Sequence, residues 1–357
     1  HYTLAKEIFD KDIRIEIISS KSSYKDKKII IKKLASNEID LVFGTHAIFQ
    51  KKIIFRKLGL IIIDEQHKFG VNQRKKLSDK GGDNCDVLLM SATPIPRTLT
   101  MTIYGDMDLS IIKEKPKSRK EVITYSKLES KIGEVLNYIK KEINNHNQVF
   151  WVCPLIEESK KIDHASAVQK YEFLKHKFPN QVALLHGKTN PDKKEIILNK
   201  FLNKEYKILV STTIIEVGID FPNANVIVIE NANKFGLSQL HQLRGRVGRG
   251  ANQSSCILMF KSSLTENAKK RLNILKSSTD GFKISEEDMK LRGYGDILGF
   301  KQSGIKIFKL ADPIQNNDLF ELAEMEIKKM EKKDHDISKY RTLMKLYDQA
   351  DIINDIV

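Results

Sequence analysis

Short runs of apolar residues recur along the chain, and each run ends at small, polar or charged residues. Because these runs lack polar alternation, they predict strands that are covered on both faces, as in a parallel sheet flanked by helices. Seven runs have this character: 41–43, 60–63, 87–90, 149–152, 182–185, 208–210 and 226–229. Helical stretches separate them, and Asn190-Pro191 predicts the N-cap and first turn of a helix that reaches Leu202. The alternation predicts an α/β fold of the doubly wound type.

The chain divides into three predicted parts. Residues 113–120 are charged, contain a proline and show no apolar period, so they predict a linker between two α/β lobes. We therefore expect lobe one at 1–115, lobe two at 116–280 and a C-terminal helical segment at 281–357. An amphipathic helix in that last segment has an apolar face, more typical of a packing surface than of a partner site. The face comprises Leu319, Leu322, Ala323, Ile327 and Met330.

Net charge and cysteine spacing indicate which kinds of partner and which cellular compartment to expect. The 61 Lys and Arg against 46 Asp and Glu give a net charge of +15, which suits a polyanionic partner such as nucleic acid, although lysine on solvated faces is the alternative explanation. Cys85, Cys153 and Cys256 form no Cys-x-x-Cys pair, so they predict neither a disulfide framework nor a zinc site. No apolar run approaches the ~20 residues that span a membrane. We expect a cytoplasmic protein with no membrane partner.

Two adjacent carboxylates, Asp64 and Glu65, follow the predicted strand 60–63. Ligands of open α/β sheets gather at the carboxyl ends of the strands. We predict that Asp64 binds Mg²⁺ and that Glu65 is the general base that activates water for ATP hydrolysis. The alternative is a solvated turn with acidic capping residues.

A second predicted strand ends in the Ser-Ala-Thr-Pro turn 91–94, which by itself could be only a capped turn. Together with the Asp-Glu-Gln-His turn 64–67, however, it resembles motifs II and III of superfamily 2 helicases. That resemblance implies nucleotide binding by His67. It also implies that the ATP site is coupled to movement by Gln66, Ser91 and Thr93.

Arginine and glycine alternate closely in residues 242–249, QLRGRVGR. Glycine lets the backbone approach a ligand, and guanidinium groups match phosphate oxygens in a forked geometry. A basic surface loop is the alternative. The string matches motif VI of the same helicases, QxxGRxGR, which implies a catalytic role for Gln242. It further implies that Arg246 and Arg249 are arginine fingers that stabilise charge on the γ-phosphate.

Other strand ends resemble the nucleic-acid contacts of these helicases. Residues 211–220 resemble motif V, which implies backbone contacts by Thr212 and Thr213 and nucleotide contacts by Gly218 and Asp220. Gly44 and Thr45 resemble motif Ib, another backbone contact at a strand end. His186 and Gly187 resemble the corresponding strand-end contact of lobe two. Phosphate contacts carry no sequence information, so we expect sequence-independent binding.

Four longer segments, 64–74, 92–98, 240–250 and 291–304, resemble the RecG family of branched-DNA translocases, and the resemblance covers essentially the whole chain. It implies two RecA-like lobes with parallel sheets, ATP and Mg²⁺ as cofactors, branched or duplex DNA as partner, and a monomer. In the last segment it assigns Arg292 and Gln302 to the translocation motif that the family shares with the transcription–repair coupling factor. The coupling factor is an alternative, although it typically carries DEEH where this chain has DEQH.

The sequence begins at His1 and contains no Gly-x-x-x-x-Gly-Lys-Ser/Thr phosphate loop; its single Gly-Lys pair is Gly187-Lys188. Because His1-Tyr2 resembles the end of the family's motif Ia, we expect the phosphate loop and an N-terminal wedge domain to lie upstream, and lobe one to be incomplete. We accordingly expect this polypeptide by itself to hydrolyse ATP negligibly. A remnant that binds DNA without turnover is the second hypothesis.

Overall fold

The structure is a computed structural model in which the contacts divide the chain into two compact units, His1–Ala92 with Glu326–Val357, and Thr93–Met325. The described residues are 1–10, 12–19, 22–65, 80–82, 84–91, 108, 110–112, 114, 116, 119–154, 160–212, 221–261, 263–292 and 316–332.

The first unit contains short parallel strands that pair two by two within the described residues. Strand β1 pairs with β2, and β3 pairs with β4. The elements in chain order are α1 (Tyr2–Ile8), β1 (Ile15–Ile18), α2 (Tyr24–Ala35), β2 (Leu41–Gly44), a 3₁₀ helix (His46–Phe49), β3 (Leu60–Ile63) and β4 (Asp86–Leu89).

Helix α2 begins at a capping serine and packs one face onto β1. Ser23 accepts a hydrogen bond from the Asp26 amide at 3.1 Å and donates to the Asp26 carboxylate at 2.7 Å, which satisfies an amide of the first turn. Ile30 and Leu34, four positions apart, lie on the same face of the helix. They join a buried cluster with Ile18, so the helix covers the strand.

The second unit is built on a six-stranded parallel sheet with strand order β5-β10-β9-β6-β8-β7. Strands and helices alternate along most of this unit. They are β5 (Ile123–Leu128), α3 (Ile132–Asn144), β6 (Gln148–Val152), α4 (Lys160–Lys177), β7 (Val182–Leu185), α5 (Pro191–Leu202), β8 (Ile208–Ser211), β9 (Ala224–Ile229), α6 (Leu237–Arg244), β10 (Ser255–Phe260), α7 (Glu266–Ser277) and α8 (Gly281–Arg292). Helix α9 (Asn317–Lys332) follows, with its residues up to Met325 in the second unit and the rest assigned to the first.

The core of the second unit lies on both faces of this sheet. Along β6, Phe150 packs into one buried cluster and its neighbour Trp151 into the other, because successive side chains of a strand point to opposite faces. Every residue of β6, β8 and β9 is buried. The prediction of an α/β fold with parallel sheets is confirmed, and the interior strands β6, β8 and β9 are buried on both faces as expected.

Helix α5 confirms its predicted start. The Asn190 side chain accepts a hydrogen bond from the Asp192 amide at 2.9 Å, and Pro191 occupies the first turn, where its missing amide proton is not needed. Helix α9 also forms where a helix was predicted. Its apolar side is more open than a packing surface, since Leu319, Leu322 and Ile327 are each more than half exposed.

Strands β1, β5 and β10 were missed, and the coverage of β3 was predicted wrongly. Strand β5 lies at the edge of its sheet, and the polar residues Thr124, Ser126 and Lys127 interrupt its apolar positions, so it carries no continuous apolar run. In β3, Ile61 and Ile63 are buried, whereas Leu60 and Ile62 are 53% and 54% exposed. The expectation that this strand is covered on both faces is therefore wrong, because only one of its faces packs against a buried cluster.

Among the helices of the described residues, none is both long and apolar enough to cross a membrane.

Candidate active site

Asp64 stands directly after β3, at the carboxyl end of the strand. Its Oδ1 atom accepts a hydrogen bond from the Glu65 amide at 2.8 Å, and its Oδ2 atom lies 3.7 Å from Nε2 of His1. The carboxylate is half-exposed. Mg²⁺ is usually held by one or two protein carboxylates together with water and nucleotide phosphates, so a carboxylate with this access fits the ion.

Glu65 turns the chain sharply out of the strand. Its φ of +51° lies in the left-handed region, which a residue with a side chain adopts at some energetic expense. Residues held in such conformations cluster at functional sites because the surrounding structure enforces the geometry. The half-buried Glu65 side chain is consistent with the predicted general base.

Ser91 lies at the same edge of the sheet as these carboxylates. Strands β3 and β4 pair with Ile63 opposite Leu89, and the Met90 amide donates to the Ile63 carbonyl at 2.8 Å. The residues that follow the two strands are therefore neighbours across the pair. The structure thus brings Asp64 and Glu65, the start of the segment that resembles motif II, to the same sheet edge as Ser91, the start of the segment that resembles motif III.

Gly44 and Thr45, at the end of β2, are both exposed. A side chain at Gly44 would collide with the Ile48 side chain of the following 3₁₀ helix, so glycine leaves the space that Ile48 occupies. Thr45 is the N-cap residue of that helix. This exposed strand end is open to a backbone phosphate, as the predicted contact requires.

In the second unit, His186 follows β7 and sits in a tight turn. Its amide donates to the Thr189 hydroxyl at 3.1 Å, and its Nδ1 atom accepts from the Lys188 amide at 3.2 Å. The second bond orients the imidazole ring with Nδ1 toward the backbone. Gly187, between them, is exposed.

Thr212 follows β8 and is not exposed, unlike Gly44, Thr45 and Gly187, which were also predicted to contact phosphates at strand ends. Its side chain is buried, as is that of Ser211. Within the described part of the chain, neither hydroxyl makes a hydrogen bond. Buried hydroxyls are normally satisfied, so these two are sites at which a ligand or water would find a partner.

The predicted arginine fingers lie on a loop that follows α6. Gln242 is half-buried near the end of this helix, Arg246 is half-buried and Arg249 is exposed. Gly248, between the two arginines, has a φ of +76°, and a Cβ atom there would lie 2.9 Å from Cγ2 of Val122. Glycine is therefore required both by the left-handed backbone and by the close approach of the loop to the start of β5.

Several predicted site residues lie outside the described residues, namely Gln66, His67, Thr93, Thr213, Gly218, Asp220 and Gln302. The main chain of Arg292 ends α8, and its side chain also lies outside the description. In the ranges that are described, no group of three or more His, Cys, Asp or Glu residues could hold a metal by itself.

Arg244 is a buried residue of this segment that sequence reasoning did not single out. It stands at a variable position of QxxGRxGR, so motif matching passes over it. The available signal is helical spacing, because Leu237 and Leu240 of α6 define a buried face that position 244 continues.

Comparison with known families and proteins accounts for most of the chain. Residues 1–102 match the DEAD/DEAH box helicase family, residues 130–251 match the helicase conserved C-terminal domain, and residues 278–350 match domain 3, C-terminal, of the ATP-dependent DNA helicase RecG. The chain is 46% identical over 322 residues to the ATP-dependent DNA helicase RecG of Bacillus subtilis (strain 168). This chain belongs to the RecG helicase family.

Other RecG proteins give the same result. The RecG of Thermotoga maritima is 45% identical over 334 residues, which are 93% of this chain and 43% of that protein; the Bacillus subtilis match covers 89% of this chain and 47% of that protein. The chain thus spans a little under half the length of these relatives. A structure of RecG bound to a three-way DNA junction aligns with a TM-score of 0.66 and 41% identity, covering 89% of this chain and 41% of that one.

More distant helicases share the fold alone. The structure of S. cerevisiae Dbp5 bound to RNA and ADP BeF3 aligns with a TM-score of 0.54 at 15% identity, over 79% of this chain and 75% of that one. The RecG structure and the two helicase family matches confirm the two RecA-like lobes that were expected.

Proposed function

We propose that this chain is the motor portion of a RecG-type ATP-dependent DNA helicase or translocase that remodels branched DNA, such as stalled forks and Holliday junctions, in recombination and repair. The observation that carries the proposal is the sheet edge formed by β3 and β4, where Asp64, Glu65 and Ser91 follow paired parallel strands. Support comes from the RecG relative whose structure holds a three-way DNA junction. We place the protein in the bacterial cytoplasm, acting as a monomer on nucleoid DNA.

The chemistry that this arrangement supports is attack of water on the γ-phosphate. Asp64 would hold Mg²⁺, whose charge offsets that of the nucleotide phosphates. Glu65 accepts a proton from the attacking water. As the water oxygen bonds to the γ-phosphorus, the bond between the γ-phosphate and ADP breaks, and the products are ADP and inorganic phosphate. Arg246 and Arg249 stabilise the charge on the γ-phosphate oxygens, and Gln242 orients the reacting groups. Further nucleotide contacts are assigned to His67, Gly218 and Asp220.

DNA would be held through its phosphates at the strand ends. Gly44 and Thr45 are exposed after β2, and Gly187 is exposed after β7 beside His186. We assign the remaining backbone contacts to Thr212 and Thr213. The net charge of +15 favours such binding because each phosphate contact releases counterions. Coupling of hydrolysis to movement is assigned to Gln66, Ser91, Thr93, Arg292 and Gln302.

The 357-residue sequence contains no phosphate loop, and we propose that this polypeptide by itself turns over ATP negligibly. The loop would supply the amide groups and the lysine that grip the β- and γ-phosphates. A second candidate function is DNA binding without ATP hydrolysis, and the net charge of +15 is the observation that favours it.

A chimera tests the motor. The upstream part of the Bacillus subtilis RecG chain, which is 46% identical over the matched region, is joined ahead of His1, and ATP hydrolysis is measured with and without three-way junction DNA. We expect DNA-stimulated turnover by the chimera, loss of that turnover in its Glu65→Gln variant, and none in the 357-residue chain alone. An inactive chimera that still binds junction DNA would instead support the non-hydrolysing function.

A further inference from the structure

Arg244 is an arginine at the end of α6 with only 3% of its surface exposed. Its Nη1 atom donates to the carbonyl oxygens of Leu275 at 2.6 Å and Ser278 at 2.8 Å, and its Nη2 atom lies 3.0 Å from Nδ1 of His241. A longer contact of 3.4 Å reaches the Thr124 hydroxyl of β5. One guanidinium therefore joins α6 to the end of α7 and to the edge strand of the sheet.

The acceptors explain how a guanidinium can be buried here. Leu275 and Ser278 lie at the carboxyl end of α7 (Glu266–Ser277), where the last carbonyls have no partner inside the helix and carry partial negative charge. Burial lowers the pKa of Arg244, and the nearby Cys256 and Glu121 oppose that effect. Arginine keeps its charge even so, because its pKa begins far above neutrality. The fork of donors satisfies several carbonyls at once.

The segment after Arg244 alternates between anchored and accessible positions. Val247 is fully buried, and Gly248 packs against Val122, whereas Arg246 is half-buried and Arg249 exposed. Arg244 is thus the first of three fixed points on a loop that carries both arginines of motif VI. The amino end of the same helix is held as well, by the Ser238 hydroxyl, which donates to the Asp288 carboxylate of α8 at 2.6 Å.

We propose that Arg244 is a positioning residue that holds residues 245–249 in the conformation that Arg246 and Arg249 need for catalysis. The inference rests on the proposed role of those two arginines. A displacement of about 1 Å in a catalytic group can slow a reaction ~100-fold, so a fixed anchor at the base of the loop is worth maintaining. The simpler explanation is that Arg244 only cross-links the core. The two explanations predict different effects of substituting Arg244 on residues 245–249 and on ATP hydrolysis.

Gln148 provides a matched control. It is equally buried, and its Nε2 atom donates to two main-chain carbonyls, those of Phe201 at 2.6 Å and Tyr206 at 2.7 Å. Gln148 is the first residue of β6, so it lies at the amino end of the strand. Ligands of such sheets bind at the opposite, carboxyl ends of the strands. Gln148→Met removes a comparable cross-link from the same unit without touching residues 245–249.

The first measurement is hydrogen exchange in the 357-residue chain, which needs no enzymatic activity. Arg244→Met is expected to speed exchange of the amides of 245–249 by roughly tenfold more than the amides of β6 and β9, whereas Gln148→Met leaves 245–249 unchanged. Unchanged exchange at 245–249 in Arg244→Met, or a uniform increase over the whole unit, would overturn the proposal.

The second measurement is steady-state ATP hydrolysis in the chimera. Arg244→Met is expected to lower the DNA-stimulated kcat by ~10- to 100-fold while KM for ATP stays within about twofold, and Arg244→Lys is expected to recover part of the loss. Gln148→Met should keep kcat within about twofold. Equal losses in the Arg244 and Gln148 variants would refute positioning. If the unsubstituted chimera is inactive, the proposed function fails, and hydrogen exchange alone decides the role of Arg244.

Discussion

Gly248 offers a direct test of how tightly the motif VI loop is packed. Gly248→Ala adds a methyl group at a φ of +76° and 2.9 Å from Cγ2 of Val122. The left-handed conformation costs about 1–2 kcal/mol for a residue with a side chain. The steric overlap adds about 1–3 kcal/mol, because the β-branched valine cannot turn away easily and must shift with its surroundings. We expect Gly248→Ala to destabilise the second unit by about 2–5 kcal/mol.

The two contributions can be separated with a second substitution. Val122→Ala removes the colliding methyl group, so the double variant should retain only the conformational part, about 1–2 kcal/mol beyond the loss from Val122→Ala alone. Gly133→Ala is the control for an added methyl group, since a Cβ atom there meets nothing within 4 Å in the first turn of α3. It should leave stability unchanged or raise it by up to about 1 kcal/mol.

Urea unfolding followed by tryptophan fluorescence measures these differences. The sequence has one tryptophan, and Trp151 is fully buried in β6, so its emission reports on the second unit. Additive losses in Gly248→Ala and Val122→Ala, with no coupling between them, would show that the two side chains do not compete for the same space. That result would refute the packing argument.

Two further predictions concern the first unit and DNA binding. Arg14 donates from Nε and Nη2 to Asp40 at 2.8 Å each, and this lowers the pKa of the carboxyl from 3.8 to about 2. Because the folded-state pKa of Asp40 is lower than its unfolded value, the stabilisation is present above pH ~4 and is lost as the pH falls towards 2. Asp40→Asn should remove this acid dependence of stability in circular-dichroism melts. An unchanged dependence on acid pH in that variant would contradict the prediction. Duplex DNA should bind the 357-residue chain with an affinity that falls linearly on a log–log plot against salt, by about 0.9 per phosphate contacted, and no binding even at low salt would exclude the assigned contacts.

The sequence was sufficient to predict the interior strands β6, β8 and β9 of the second unit, whereas the interior strand β10 was missed. Residues 149–152, 208–210 and 226–229 of β6, β8 and β9 are apolar and buried without interruption, a pattern that is typical of a parallel strand covered on both faces. Edge strand β5 escaped because the polar residues Thr124, Ser126 and Lys127 interrupt its apolar positions. The same reasoning failed for β3, where an apolar run gave no indication that Leu60 and Ile62 would remain exposed.

Motif residues were likewise open to prediction, because chemistry requires their type and order along the chain. Asp64 and Glu65 follow an apolar strand, which is enough to propose a Mg²⁺ and general-base pair, whereas the roles of Arg246 and Arg249 came from the resemblance of residues 242–249 to a helicase motif. The left-handed φ of Glu65 was not foreseeable, since a glutamate adopts it only when tertiary contacts impose it.

The sequence by itself therefore determined the type of fold, the family and the residues that could carry the chemistry, all of which depend on patterns among near neighbours. Tertiary structure decided which groups support them. Arg244 finds its carbonyl acceptors 31 and 34 positions away, at Leu275 and Ser278, and Gly248 needs its missing side chain because Val122 stands against it. Such requirements arise only when distant segments pack at van der Waals distance, and no local pattern records which segments those will be.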